Sequence, residues 1–277
     1  MYAIDFEYDG HFLSDRGFMI CNFDYNDGIS ELESGSQITL NKVPHFGGKK
    51  YSISSTQYDD CIETTFDICR IPEDYEYSNR EISMNDFRDI VRWLNRSEFL
   101  LFRFIENDED TFFEKPYCYF YATFNVTKLM LNDRLYGIRL KMLTNSPFGF
   151  AEEETYTVDF ATNNSVTIID KSDEIGYISP DVTITCNAAG KVYFENSSAG
   201  IKTEIKNCTQ GEVITIKGEQ QIITTDSTAH KIYNDFNFVF PKIKNTYSSR
   251  ANVFTKLSDC ISCTIVIKYR PIIKEVF

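Results

Sequence analysis

Apolar side chains recur at every second position along most of the chain, the period that places one set of side chains on the buried face of a β-strand. Ile62, Thr64, Phe66 and Ile68 alternate with Glu63, Thr65 and Asp67. Phe120, Ala122, Phe124 and Val126 alternate with Tyr119, Tyr121, Thr123 and Asn125, and Ile138, Leu140 and Met142 with Arg139 and Lys141. The second half continues through Val182, Ile184 and Cys186, then Phe236, Phe238 and Phe240, then Cys263, Ile265, Ile267 and Tyr269. The expected class is mainly β, with strands paired into antiparallel sandwiches.

One segment breaks the period. Between Ser83 and Asn95, residues Phe87, Ile90, Val91 and Leu94 fall at i, i+3, i+4 and i+7, the stripe of an amphipathic helix over 83–95. Ser83 is placed to accept from the free amide of Asp86, whose carboxylate sits in the first turn, where the helix dipole favours it. Ile82 and Phe87 stand at the two staple positions around this cap.

The alternation lapses across Asn145, Ser146, Pro147, Phe148, Gly149 and Phe150, and Glu152, Glu153 and Glu154 follow. This predicts two domains, 1–150 and 151–277, which agrees with a length of 277 residues. The first half holds 15 basic and 25 acidic residues, the second 13 and 16. The halves therefore carry −10 and −3 and meet different surroundings. No fixed-period repeat and no Gly/Ser or Pro-rich linker separates them, so a short hinge is expected.

Composition narrows the function classes. With 42% apolar residues and 23 Phe, 17 Tyr and 1 Trp, the chain has what a packed core requires. A net charge of −13 opposes general affinity for nucleic acid or anionic lipid. The best apolar run, Phe99 to Ile105, is cut by Arg103 and is far short of a membrane span. Asp5, Glu7 and Asp9 stand where a signal peptide would be basic and then apolar, so export by that route is not expected. The cysteines, at 21, 61, 69, 118, 186, 208, 260 and 263, are sparse for a disulfide scaffold. They read as reduced, buried thiols made in a cytosol, with disulfides the lesser alternative.

Few motifs in the sequence carry chemistry. There is no GxGxxG, and the runs Gly48-Lys49-Lys50 and Gly190-Lys191 lack the upstream glycine that cradles phosphate. HExxH and GxSxG are absent, and His11, His45 and His230 stand in unrelated segments, each expected in a loop or on the surface. Cys260-Ile-Ser-Cys263 is one CxxC without the second pair that zinc needs. On a continuous strand its odd spacing would send the thiols to opposite faces, as packed side chains of a sheet. Asp108-Glu109-Asp110 and Glu152 to Glu154 do not follow the calcium-loop pattern and read as solvated turns. No cofactor, metal or catalytic residue is nominated. Glycoside hydrolysis would need two carboxylates across a cleft, and 41 acids nominate no pair. Surface Tyr and Phe beside Asn would serve sugar stacking, but the same residues build strand faces.

The order of elements resembles the distal tail protein (Dit) family of long-tailed, non-contractile bacteriophages and related prophages. The likeness rests on Phe6 to Phe18 with its Gly10 turn, on the helix from Ile82 to Leu94 and the strand Leu100 to Phe104, and on Arg139 to Asn145 running into Ser146-Pro147-Phe148. It continues through Pro180 to Ile184, Val192 to Asn196, Gly211 to Ile216, Asp235 to Phe238 and Val266 to Pro271. Pro241 and Lys242 to Asn245 depart from the family's turn after its aromatic strand.

The resemblance implies a structural hub and not an enzyme. Residues 1–150 would assemble as a homo-oligomer, a hexameric ring around the tail channel, and 151–277 would form a galectin-like sandwich facing outward. Implied partners are the tail tube protein and tail-tip or receptor-binding proteins, with DNA passing through unbound and no membrane. The expected location is the virion tail tip, after assembly in the host cytoplasm. An acidic ring would repel the passing duplex at short range. Candidate channel-facing acids are Asp24, Asp27, Glu31, Glu33, Asp59, Asp60, Glu73, Asp74 and Glu76, which the apolar pattern leaves in turns or outward positions. The rival readings are a cell-surface carbohydrate-binding protein of two sandwiches, with exposed aromatics on a concave sheet face, and a β-sandwich glycoside hydrolase.

Overall fold

The structure is a computed structural model that describes residues 3–23, 38–44, 51–58, 61–72, 80–106, 118–246 and 248–274. The chain divides into two compact units. One spans 1–151 and takes in the chain end from Ile273, and the other is Glu152–Ile272. Both are mainly β.

In the first unit the elements are β1 (Ala3–Tyr8), β2 (His11–Phe12), β3 (Phe18–Cys21), β4 (Ile38–Pro44), β5 (Tyr51–Tyr58), β6 (Glu63–Arg70), α1 (Met84–Leu94), β7 (Leu100–Glu106), β8 (Tyr119–Leu131), β9 (Arg134–Thr144) and β10 (Gly149–Phe150). One antiparallel sheet runs β2-β1-β7-β8-β9-β6-β3, with β10 attached to β8. The sheet folds back on itself. Phe66 of β6 meets Phe6 of β1 edge to face at 5.9 Å although three strands lie between them in the order. Phe6, Phe102, Phe120 and Phe124 of β1, β7 and β8 and Ile68, Ile138, Leu140 and Met142 of β6 and β9 are all buried in one core, each contributing about 1.5–3 kcal/mol.

Helix α1 begins where the sequence places it. Ser83 accepts from the Asp86 amide at 3.2 Å and Ile82 is buried beneath the first turn. The inward face is rotated from the predicted stripe. Ile90, Trp93 and Leu94 are buried, whereas Phe87 and Val91 lie half-buried at its edge. Trp93 claims the interior because its large ring packs on Phe6 and Tyr8 of β1 and its N–H finds a backbone partner there.

The second unit contains β11 (Glu154–Asp159), β12 (Ser165–Ile169), β13 (Gly176–Ile178), β14 (Asp181–Cys186), β15 (Gly190–Asn196), β16 (Ile201–Cys208), β17 (Val213–Lys217), β18 (Ile222–Thr225), the short α2 (Ile232–Asp235), β19 (Ile243–Asn245), β20 (Ala251–Lys256) and β21 (Cys263–Tyr269). Two sheets, β11-β21-β14-β17-β18 and β12-β20-β15-β16, pack face to face. Val182, Ile184, Ile214, Ile216, Ile265 and Ile267 of one meet Val192, Phe194, Ile205 and Phe254 of the other, the interdigitated core of a sandwich.

The strand predicted from Phe236, Phe238 and Phe240 does not form. Phe236 ends α2 and makes a single bridge to Ile205. Phe238 has φ 57° and is exposed. The Asn237 side chain accepts from the Val239 amide and donates to the Lys202 carbonyl. That turn replaces the strand ladder.

Candidate assembly surface

The nine acids nominated from the sequence, Asp24, Asp27, Glu31, Glu33, Asp59, Asp60, Glu73, Asp74 and Glu76, lie outside the described residues, as do His45 and the cluster Asp108 to Asp110. In the other acidic run, Glu153 pairs with Lys268 at 3.2 Å and Glu154 with Lys171 at 2.6 Å. No group of ligating side chains fit to hold a metal occurs among the described residues.

His230 lies in the loop between β18 and α2, as expected, but its side chain is buried there. Its ring lies between two carboxylates, Nδ1 2.7 Å from Asp235 and Nε2 2.9 Å from Glu212, and its side chain is only 9% exposed. The Glu212 side chain is fully buried and accepts also from the Thr209 amide and the Thr225 hydroxyl. Burial opposes charge on both groups, but these bonds outweigh it, lowering the Glu212 pKa and raising that of His230. A catalytic triad leaves one imidazole nitrogen for the nucleophile, whereas here carboxylates occupy both. The arrangement is a clasp joining the turn before β17 to β18 and α2. Sequence reasoning missed it because the partners lie 18 and 5 residues away, in no recognised motif.

The CxxC also departs from expectation. Cys260 precedes β21 and is bridged to Lys191, so the two cysteines do not share one continuous strand, and both side chains are buried.

The described surface most suited to assembly is in the first unit. Strands β4 and β5 pair with each other in a ribbon that joins no larger sheet among the described residues. Its base is fixed by Tyr58, edge to face with Phe148 at 4.7 Å. Along β4, Ile38, Leu40 and Val43 are 55%, 41% and 52% exposed. Ile38 and Leu40 share one face by the strand period, and the bulge between Asn41 and Lys42 shifts the phase before Val43. A second projection is the β8–β9 hairpin, whose turn at Asn132 and Asp133 has positive φ and whose tip exposes Met130 and Leu131. Beside it, Met84, Phe87, Arg88 and Val91 of α1 line a shallow groove, with the Lys128 ammonium 4.7 Å over the Phe87 ring.

Two strand-rich domains, the first with projecting apolar hairpins, thus define the chain. Residues 1–146 match the family described as phage tail protein N-terminal domain, and residues 148–269 the family described as phage tail C-terminal domain. The chain belongs to this phage tail protein family. Its fold is that of a distal tail protein: it is similar to the crystal structure of Dit from phage SPP1, with a TM-score of 0.62 and 13% identity over 96% of this chain and 98% of that chain. That protein is described as a paradigm of the hub adsorption apparatus in phages infecting Gram-positive bacteria. The baseplate of phage p2 in its activated conformation with Sr aligns with a TM-score of 0.47 and 13% identity over 85% and 87%. No curated protein matches the chain.

Proposed function

We propose that this phage tail protein is a structural hub of the tail tip and not an enzyme. Its first domain closes into a ring, six copies by analogy with the family, around the DNA channel. The second domain, a galectin-like sandwich, faces outward toward the tail-tip or receptor-binding proteins, and the tail tube protein stacks on the ring. The observation that carries this reading is the β4–β5 ribbon. A lone two-stranded hairpin is marginal in water, and one presenting Ile38, Leu40 and Val43 gains most of its stability from a surface that covers them. A neighbouring copy supplies that surface in a closed ring. The role described for the SPP1 protein supports the same reading.

In this ring the nine acids, Asp24, Asp27, Glu31, Glu33, Asp59, Asp60, Glu73, Asp74 and Glu76, line or border the channel and keep DNA from adhering. Replacing them with Lys makes the duplex stick and slows ejection, and added salt relieves the defect as phosphate contacts weaken.

Native mass spectrometry tests the ring, alone and with the neighbouring tail protein, since closure is favoured by what binds the closed form. The expected result is a cyclic oligomer that Ile38→Ser with Leu40→Ser reduces to monomer while the circular dichroism spectrum is retained. A wild-type monomer in both samples at micromolar concentration overturns the proposal. Sugar binding by the second domain is the alternative that the exposed Tyr177, Tyr233 and Phe238 favour. Specific retention of residues 152–272 on a glycan surface, lost in Phe238→Ala, would establish it.

A further inference from the structure

The groove on α1 has an apolar floor and charge that its surroundings leave uncompensated. Met84, Asn85, Phe87, Arg88 and Val91 line it, and its volume is about 390 Å³. Met84 is 62% exposed, a flexible thioether of the kind that moulds to an incoming side chain. Lys128 of β8 stands at the end of the groove, its Nζ 3.8 Å from the Met84 sulfur and 4.7 Å over the Phe87 ring. The acids around α1 are engaged with other cations, Asp86 with Arg70, Asp89 with Arg92 and Glu81 with Arg134. Arg88 and Lys128 are exposed and have no carboxylate partner among the described residues. An apolar floor beside two unpaired cations fits a ligand with aromatic anchors and negative charge next to them.

The chain carries such a sequence, the acidic run at Asp108 and the residues that follow it. Residues 107–117, between β7 and β8 and outside the described residues, read Asn-Asp-Glu-Asp-Thr-Phe-Phe-Glu-Lys-Pro-Tyr. Asp108, Glu109, Asp110 and Glu114 flank Phe112 and Phe113. The groove of the same copy is out of their reach. Lys128 stands nine residues beyond Tyr119 on β8, about 30 Å along the strand. Eleven residues tethered at Glu106 and Cys118 extend to about 20 Å from their anchors. The segment meets this groove only on another copy.

We propose that residues 108–114 of one copy dock in the α1 groove of a second copy, with Phe112 and Phe113 against Met84, Phe87 and Val91 and the carboxylates against Arg88 and Lys128. Neighbouring copies are supplied by the hub reading, on which this contact rests. The aromatic anchors supply the binding, and the charges set partner and orientation. Because it joins two different surfaces, the contact repeats head to tail, the kind of interface that makes a ring when its rotation closes.

The test uses the full-length protein with labelled methionine methyl groups, in which Phe112→Ser and Phe113→Ser remove the chain's own anchors, and a synthetic peptide of residues 107–117. The peptide should shift the Met84 methyl resonance saturably and leave that of the buried Met142 in place. Arg88→Glu with Lys128→Glu should weaken binding about tenfold, and added salt should weaken it in the native groove. A peptide with Asp108, Glu109 and Asp110 changed to Lys should bind the reversed groove and not the native one. Absence of a Met84 shift, or a shift indifferent to both charge reversals, overturns the proposal. So does a Met84 resonance that Tyr75→Ser with Tyr77→Ser moves in protein free of peptide, since the chain's own residues 73–79 would then fill the groove. Native mass spectrometry separates this contact from the hub reading. Peptide binding with open head-to-tail oligomers keeps the contact and discards the closed ring. A cyclic oligomer that persists in Arg88→Glu with Lys128→Glu keeps the ring and overturns the contact.

Discussion

Trp93 lies flat against Phe6, with ring centroids 5.6 Å apart and planes 15° from parallel, and its indole N–H donates to the Tyr8 carbonyl at 3.3 Å. The last turn of α1 is thereby fixed to strand β1, and the Arg16 guanidinium stands over the Trp93 ring at 4.3 Å. Phe6 also touches Phe66, Phe102 and Phe124, so the helix is anchored to the aromatic centre that holds the folded sheet closed.

Truncation on this face should be expensive. Leu94→Ala is expected to destabilise the first domain by about 2–5 kcal/mol and Trp93→Ala by about 3–5 kcal/mol, through lost burial and the cavity left behind. Ser83→Ala removes the cap on the Asp86 amide and the exposed bond from the Ser83 hydroxyl to the Asp86 carboxylate, and should cost about 1 kcal/mol. Denaturant melts of the three variants give the order directly, and equal stability of all three would mean that the helix is not packed as described.

What was legible in the sequence follows from the range over which each interaction acts. The alternation at Phe120 to Val126 and at Ile138 to Met142 and the cap at Ser83 depend on neighbours a few residues away, so the pattern carries them. Phe236, Phe238 and Phe240 have the same period, yet Asn237 bonds its own neighbourhood and turns the chain, a local competition that periodicity does not weigh. The inward turn of Trp93 depends on where β1 arrives. His230 between Glu212 and Asp235 depends on which turns the sandwich stacks together, and the exposure of Ile38 and Leu40 depends on a ribbon lying outside the main sheet. None of these has a local signal.

Asp67 and Arg139 face each other across β6 and β9, Nε donating to Oδ1 at 2.8 Å and Nη2 to Oδ2 at 2.9 Å, with the Asp67 side chain 5% exposed. Arg139→Ala should destabilise by about 1–3 kcal/mol because it leaves a nearly buried carboxylate without its fork of donors. Replacing both residues with Val should recover most of the loss, since an apolar cross-strand pair has no charge to desolvate. Thermal melts of the single and double variants separate these outcomes. Additive losses would show that the pair is not coupled.

Gly218 follows β17, and a Cβ at this position would collide with the backbone carbonyl oxygens of Pro180 and Ser179. Its amide also donates to the Asp181 carboxylate at 3.1 Å, so the segment is held close by its own hydrogen bond. Backbone cannot swing aside as a side chain can. Gly218→Ala should therefore destabilise the second domain by about 1–3 kcal/mol, as overpacking does. Gly200→Ala tests the distinct case, a left-handed glycine with open space around it. Its cost should be close to the ~1 kcal/mol of φ strain alone.

The clasp at His230 gives the second domain a bounded pH range of highest stability. Its ring faces Glu212 from the turn before β17 and Asp235 from α2, with the neutral Thr209, Thr225 and Ser227 completing the surroundings of Glu212. The His230 pKa is raised above its ordinary 6.5, so the folded state holds the proton more tightly than the unfolded chain. That contribution is fully present below the unfolded value and is lost as pH rises through the folded one. The Glu212 pKa is lowered below its ordinary 4.5, so its contribution is present above that value and lost as pH falls through the folded one. Stability should be greatest between the two folded pKa values and fall on both sides. His230→Asn should lower the plateau and flatten the alkaline limb below the range where tyrosines titrate, while the acid limb remains. Melting temperatures across pH give the profile, and the His230 ring resonances in an NMR titration assign its upper edge. A ring that titrates at or below 6.5, or an alkaline limb unchanged in His230→Asn, would show that the imidazolium does not hold these turns together.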